Sequence, residues 1–209
     1  MRNDVERVLI SRDAIARRVA ELAGQITLDH SPPKANGVAE VTIIPIMTGA
    51  MIFAADLIRQ LPLKMKIGLL AVSSYPGKSV SSQGVNMLSS RLGDVRGRHL
   101  LLVDDILDSG ATIARVRELL MQQAPASLRT CVLLRKPAAG SARTPVDYVG
   151  FDIPNEFVVG CGLDYNDYYR NLPDIVTLRR EVFETTAGPA SAPAPLESAD
   201  PRNVNEGVS

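Results

Sequence analysis

A chain of 209 residues carrying 23 basic and 23 acidic side chains has room for one domain with a sizeable core, and no cationic excess that would suggest nucleic acid as a partner. Four Phe, five Tyr and no Trp leave that core to aliphatic residues. No window reaches the length of a membrane span, the start MRNDVERVLIS is too charged for a signal peptide, and Cys131, Cys161, His30 and His99 show neither metal-like spacing nor a Ser/His/Asp arrangement; a reduced, cytoplasmic protein with no membrane contact is expected.

In chain order, Ser11 is placed to cap a helix whose Ile15, Val19, Leu22 and Ile26 recur on one buried stripe. The loop His30 to Asn36, with Pro32 and Pro33, ends it. Val41 to Ile46 is a β-branched, apolar strand, followed by Met47-Thr48-Gly49-Ala50 and a helix from Met51 to Leu61 stopped by Pro62. A strand, a tight glycine turn and a helix offer backbone N–H groups to an anion at the carboxyl edge of a sheet. Lys64 to Val72 reads as a third strand. Ser73 to Gln83 is polar, with five serines in eleven residues; by composition alone it reads as a long surface hairpin.

The segment His99 to Ile113, HLLLVDDILDSGATI, changes character within a few residues. Leu100 to Val103 suits a strand buried on both faces, and Asp104 and Asp105 follow at its end. Successive strand side chains alternate faces, so the two acids are expected to flank one ligand rather than share a spot. Asp108-Ser109-Gly110-Ala111-Thr112 then turns into a helix carrying Ile113, Val116, Leu119 and Leu120. Hydroxyls, backbone amides and a helix N-terminus favour an anion there, and Gly110 allows close approach. Acids beside an anion site describe a ligand with a phosphate and vicinal hydroxyls, a ribose 5-phosphate. An ordinary helix cap after an ordinary strand is the bland alternative.

Ser127 to Leu134 is another apolar strand, with Cys131 in the core, and Arg135-Lys136-Pro137 at its carboxyl end reads on its own as a solvated strand terminus. Val146 to Phe151 and Glu156 to Val159 lead into the dense string VGFDIPNEFVVGCGLDYNDYYRNLPDI. From Ala187 the chain is rich in Ala, Pro and Ser without apolar period and reads as a disordered tail, 187–209, after a domain of 1–186.

LLLVDDILDSGATI resembles the phosphoribosyl-pyrophosphate (PRPP) signature of the type I phosphoribosyltransferases, in the form carried by the hypoxanthine-guanine branch, and Asp108 is what points to purines. The leading helix and the string from Val149 to Ile175 resemble the same family. The resemblance implies an α/β fold, a central mainly parallel sheet flanked by helices, with a small hood over the base site to which the N-terminal helix contributes. It implies purine salvage: transfer of the phosphoribosyl group from magnesium-bound PRPP to N9 of hypoxanthine or guanine, releasing pyrophosphate. Asp104, Asp105, Asp108, Ser109, Gly110, Ala111 and Thr112 would bind ribose and phosphate, with Asp108 as the catalytic group at the purine N7. Thr48, Gly49 and Arg170 would take pyrophosphate. Ser74 and Tyr75 would open a mobile lid over about 73–87. Lys136 would donate to the 6-oxo group, with Phe157 stacking on the purine, Val158 offering its backbone and Asp164 holding Mg2+, which Asp104 and Asp105 would reach through water.

Since an ammonium only donates, a 6-amino group would meet Lys136 donor to donor, a mismatch worth roughly four to five orders of magnitude. The chain departs from the family pattern at Thr48, where a basic residue is usual, at Asn155 in place of an acid, and at Cys161 in place of an aromatic. A homodimer or homotetramer is implied. A xanthine-preferring transferase, and a non-catalytic nucleotide sensor or RNA-binding regulator that kept the fold, are the alternatives.

Overall fold

Runs of aliphatic residues without polar alternation can only be strands covered on both faces, and three of them form the middle of the sheet in the computed structural model, which describes residues 1–30, 40–74, 85–137 and 144–185. β1 is Val5–Ile10, α1 Arg12–His30, β2 Val41–Met47, α2 Met51–Gln60, β3 Met65–Ile67, β4 Leu69–Ser74 and β5 Val85–Arg91. β6 is His99–Leu107, α3 Ala111–Met121, β7 Ser127–Arg135, β8 Tyr148–Asp152, β9 Ile175–Leu178 and α4 Arg180–Thr185. The main sheet has the order β5-β4-β2-β6-β7-β8, with β3 also on β2. All its pairings are parallel except β4 with the edge strand β5.

The alternation of side chains sorts the central strands into two cores. Ile43, Leu101, Val103, Cys131 and Leu133 point to one face, where they meet Val19, Leu22 and Ile26 of α1 and Phe53 and Leu57 of α2. Ile44, Ile46, Leu100, Leu102 and Val132 point to the other, against Ile113, Val116 and Leu120 of α3. Each such side chain removed from water contributes about 1.5–3 kcal/mol. The expected strand Lys64 to Val72 is interrupted at Gly68, whose N–H donates to the Ile43 carbonyl at 2.9 Å, so β3 and β4 follow β2 as two pieces.

Ser11 caps α1 as expected, its Oγ accepting from the Ala14 N–H at 3.3 Å. The helix does not contribute to the hood, however. It packs against α2 and β8, and Arg18 donates to the Val149 and Gly150 carbonyls at 2.8 and 2.9 Å. What stands apart from the main sheet is β1 paired antiparallel with β9. The chain divides into two compact units, Met1–Leu178 and Arg179–Ser209; the described part of the second is Arg179 and α4. Past His30, the expected loop His30 to Asn36, most of the expected lid and the expected tail 187–209 lie outside the described residues. No described helix is long and apolar enough to cross a membrane.

His30 ends α1 and is 7% exposed. Its Nδ1 lies 2.8 Å from the Ile26 carbonyl and must donate to it, which leaves Nε2 as a buried acceptor with no partner among the described residues. Burial holds its pKa below the ordinary histidine value. The folded ring is neutral, so unfolding takes up a proton below about pH 6.5, and the stability this contributes is present above that pH and lost as pH falls. His30→Gln is expected to flatten the decline by up to ~1.4 kcal/mol per pH unit. Urea melts of both chains between about pH 5 and pH 8 check it, and parallel declines would refute it.

Candidate active site

The carboxyl ends of β2, β4 and β6 open into one cleft of about 750 Å³. Its walls bring together Thr48 and Gly49 from the β2–α2 turn, Asp104 and Asp105 from the end of β6, and Asp108, Ser109, Gly110 and Thr112 from the turn into α3. Asp164, Asp167 and Arg170 close it from the irregular segment between β8 and β9. Open parallel sheets bind ligands in such crevices.

The turn 108–112 is built to present backbone. Gly110 is the N-cap of α3 with φ 80°, a left-handed conformation that glycine adopts without cost. No side chain caps it and no acid stands in the first turn of α3. Ser109 Oγ reaches only the Ala111 N–H, at a long 3.4 Å. A helix N-terminus of this kind favours an anion.

Asp104 and Asp105 both line the cleft. Asp105 Oδ1 accepts from the following Ile106 N–H at 2.8 Å, and Asp104 Oδ1 accepts from the Asp105 N–H at 3.1 Å. These local bonds turn two neighbouring carboxylates toward one space. Burial, and then the charge of its neighbour, pushes Asp104 well above the usual carboxylate range; burial raises Asp105 too. Such a pair favours a shared proton or a nearby cation.

Gly49 lies directly against this pair: a Cβ built on it would stand 2.2 Å from Asp105 Oδ2. On the other side, a Cβ on Gly162 would stand 2.1 Å from the Gly49 carbonyl. The turn after β2 is thus sandwiched between Asp105 and the segment carrying Arg170. Arg170 donates to the Gly162 carbonyl at 2.9 Å and pairs with Asp164 at 2.8 Å and Asp167 at 2.9 Å. Among the described residues, it is the one cation lining the cleft.

The remaining expected residues sit elsewhere. Lys136 is buried, and its Nζ lies 3.2 Å from Asp108 Oδ2. Phe157 is 48% exposed, with its ring edge-to-face with Tyr165 at 5.7 Å. Val158 is buried in the α1 and α2 core, and Ala111 is an exposed residue at the start of α3. Ser74 pairs with Val85 through the backbone, and Tyr75 lies outside the described residues. Cys161 is buried, its thiol pushed up to about 12, first by burial, so it is packing rather than a nucleophile. Asp167 is the cleft residue that sequence reasoning passed over. The three-residue spacing Asp164, Asp167, Arg170 was the available sign.

A parallel sheet whose strand ends gather paired acids, an amide-rich turn and an arginine defines a class: enzymes that handle a phosphorylated sugar. Residues 9–166 match the phosphoribosyl transferase domain model. The hypoxanthine-guanine phosphoribosyltransferase of Mycobacterium tuberculosis is 43% identical over 182 residues, 87% of this chain and 90% of that protein. The Bacillus subtilis enzyme of the same name is 38% identical over 187 residues, 88% of this chain and 99% of that one. Among solved structures, a hypoxanthine phosphoribosyltransferase from Staphylococcus aureus superposes with TM-score 0.78 at 37% identity, covering 88% of this chain and 96% of that one. A variant of the Trypanosoma cruzi hypoxanthine phosphoribosyltransferase, complexed with the product IMP, superposes with TM-score 0.80 at 34% identity, covering 90% of this chain and 97% of that one. The chain belongs to the hypoxanthine-guanine phosphoribosyltransferases of the phosphoribosyltransferase family.

Proposed function

We propose that this cleft serves purine salvage, moving the 5-phosphoribosyl group of PRPP to N9 of hypoxanthine, and of guanine, with release of pyrophosphate. The observation that carries the reading is the meeting of Asp104, Asp105, the 108–112 turn, Gly49 and Arg170 around one cleft, with Lys136 paired to Asp108 at its rim. A catalytic domain of 1–186 is supported by the family match at 9–166.

The transition state of such a transfer carries positive charge on the sugar and negative charge on the departing pyrophosphate. The amides of 108–112 hold the 5-phosphate, while Asp104 and Asp105 hold the ribose hydroxyls and face the developing cation. Thr48, Gly49 and Arg170 take the pyrophosphate, for which a forked guanidinium is well shaped. Asp108 holds the purine N7 proton and makes N9 the better nucleophile. Lys136 supplies a donor to the 6-oxo group, Phe157 stacks on the ring, and the Val158 backbone meets the base edge. Ser74 and Tyr75 belong to a lid that keeps water from the sugar carbon.

Among the described residues no three metal-ligating side chains converge. Asp164 offers a hard oxygen to an ion that takes most of its shell from water and phosphate and meets Asp104 and Asp105 through water, which fits Mg2+. Bound there, the ion would neutralise charge on the leaving pyrophosphate. PRPP is a polyanion that does not cross membranes, and Cys131 and Cys161 are free thiols; both support a cytoplasmic site of action. The homodimer or homotetramer that the family resemblance implies is part of the reading.

Incubation with PRPP and magnesium chloride against hypoxanthine, guanine, xanthine, adenine and uracil tests the reading. IMP and GMP should form, with adenine slower by roughly four orders of magnitude. No nucleotide from any base would return the chain to the sensor reading. Lys136→Ala should raise the hypoxanthine KM by roughly 10–100-fold, the worth of a hydrogen bond from a charged donor, and leave the PRPP KM near its starting value. Unchanged base affinity would refute its role.

A further inference from the structure

Arg170 comes to the cleft from a turn that departs from ordinary backbone. Asn166, Asp167 and Tyr169 have φ of 52°, 65° and 72°. Three non-glycine residues in the left-handed region within four positions persist only where their surroundings over-determine them. Some of that support is local: the Asp167 N–H donates to Asp164 Oδ2 at 2.9 Å, and Tyr165 and Tyr168 exchange backbone hydrogen bonds of 3.0 and 3.2 Å. One tether comes from far along the chain. The Tyr169 hydroxyl donates to Asp4 Oδ2 at 3.1 Å.

Asp4 is itself well anchored. It closes a short 3-10 turn, Arg2–Asp4, that runs directly into β1. β1 is fastened to β9 by its strand register and by the Thr177 hydroxyl donating to Glu6 at 3.2 Å, and to the segment after β8 by an Arg7–Glu156 ion pair. Just beyond, the Arg12 N–H donates to Asp174 Oδ1 at 2.7 Å. The N-terminal strand therefore forms a fixed post, and Tyr169 ties the Arg170 turn to it. Burial and the Asp4 contact raise the Tyr169 pKa, so the hydroxyl keeps its proton to donate.

We propose that Asp4 is a positioning residue for the pyrophosphate side of the site: by accepting from Tyr169 it holds the left-handed turn that aims Arg170 into the cleft. Asp4 does not line the cleft, so it acts on the site through Tyr169 and Arg170. The inference rests on the reading of Arg170 as a pyrophosphate ligand.

Titration of pyrophosphate, with magnesium chloride, into the full chain tests it, alongside steady-state kinetics. Arg170→Ala is the reference and should weaken pyrophosphate by roughly 10–100-fold. Asp4→Ala should weaken pyrophosphate and raise the PRPP KM by roughly ten-fold, with kcat and the hypoxanthine KM within about two-fold. Asp4→Asn keeps an acceptor oxygen and should restore most of the loss. Asp4 also pairs with the Met1 amino group at 3.0 Å; Tyr169→Phe spares that pair and should match Asp4→Ala, the double variant losing no more than either. If Arg170→Ala weakens pyrophosphate and Asp4→Ala does not, the positioning role is overturned. If both KM values rise together with a lower melting temperature, Asp4 is merely structural and the proposal again fails. Unchanged affinity in Arg170→Ala overturns the ligand reading and the proposal with it.

Discussion

Asp108→Asn is expected to lower turnover with hypoxanthine by roughly 10²-fold or more, the contribution of a positioned general acid or base, while the PRPP KM stays within about three-fold. The amide fills the same space and its oxygen still accepts from Lys136 Nζ, which lies 3.2 Å from the carboxylate, so the turn and the pair survive. What is lost is the negative charge that can hold a proton at N7 as the N9 bond forms. On the proposed reading, ribose and phosphate are held by Asp104, Asp105 and the backbone amides of 108–112, none of which the substitution removes, which is why binding should be spared. Steady-state rates at saturating PRPP, with melting temperatures as the control, decide it. Equal turnover would remove Asp108 from the chemistry. A rise in the PRPP KM matching the loss of turnover would make it a ribose ligand instead.

Elements that could be read from the residues were those whose signal is local. β2, β6 and β7 are each built on a short apolar run, and α1 repeats Ile15, Val19, Leu22 and Ile26 on one face; each pattern lies within one element and is visible in a short window. β1 and β9 were not visible for the opposite reason. Val5–Ile10 carries Glu6 and Arg7, Ile175–Leu178 is four residues long, and what makes them strands is pairing between Val5 and Leu178 across almost the whole unit. The alternation rule is silent on how the Asp104 and Asp105 carboxylates turn. It describes Cβ directions along a regular strand, whereas carboxylates at a strand end can be turned by their own backbone, as the Ile106 N–H turns Asp105. Lys136 shows a third kind of limit. A lysine at a strand end is ordinarily solvated, and its burial beside Asp108 depends on β6 and β7 ending side by side, a fact of sheet order rather than of sequence.

Gly49→Ala should cost roughly 10²-fold in kcat/KM for PRPP, the penalty of misplacing groups at the reacting centre by about an ångström. The new Cβ would lie 2.2 Å from Asp105 Oδ2 and 2.8 Å from its Cγ, distances at which something must move. A short carboxylate side chain held by the Ile106 N–H cannot simply rotate away without losing that bond. The turn cannot lift freely either, because the Gly49 carbonyl faces the Gly162 Cα on its far side. On the proposed reading, either Asp105 leaves the ribose or the 47–49 turn leaves the pyrophosphate, and PRPP needs both. The stability cost should be modest, about 1–3 kcal/mol for one overpacked methyl, or some 2–4 °C per kcal/mol in a chain of this size. A double-mutant cycle with Asp105→Ala separates the two routes. If Gly49 acts through Asp105, the double variant falls no further than Asp105→Ala alone, since the colliding atoms are gone. Additive losses would place the damage in the turn itself, and wild-type PRPP kinetics in Gly49→Ala would show that the cleft yields to a methyl group without functional consequence.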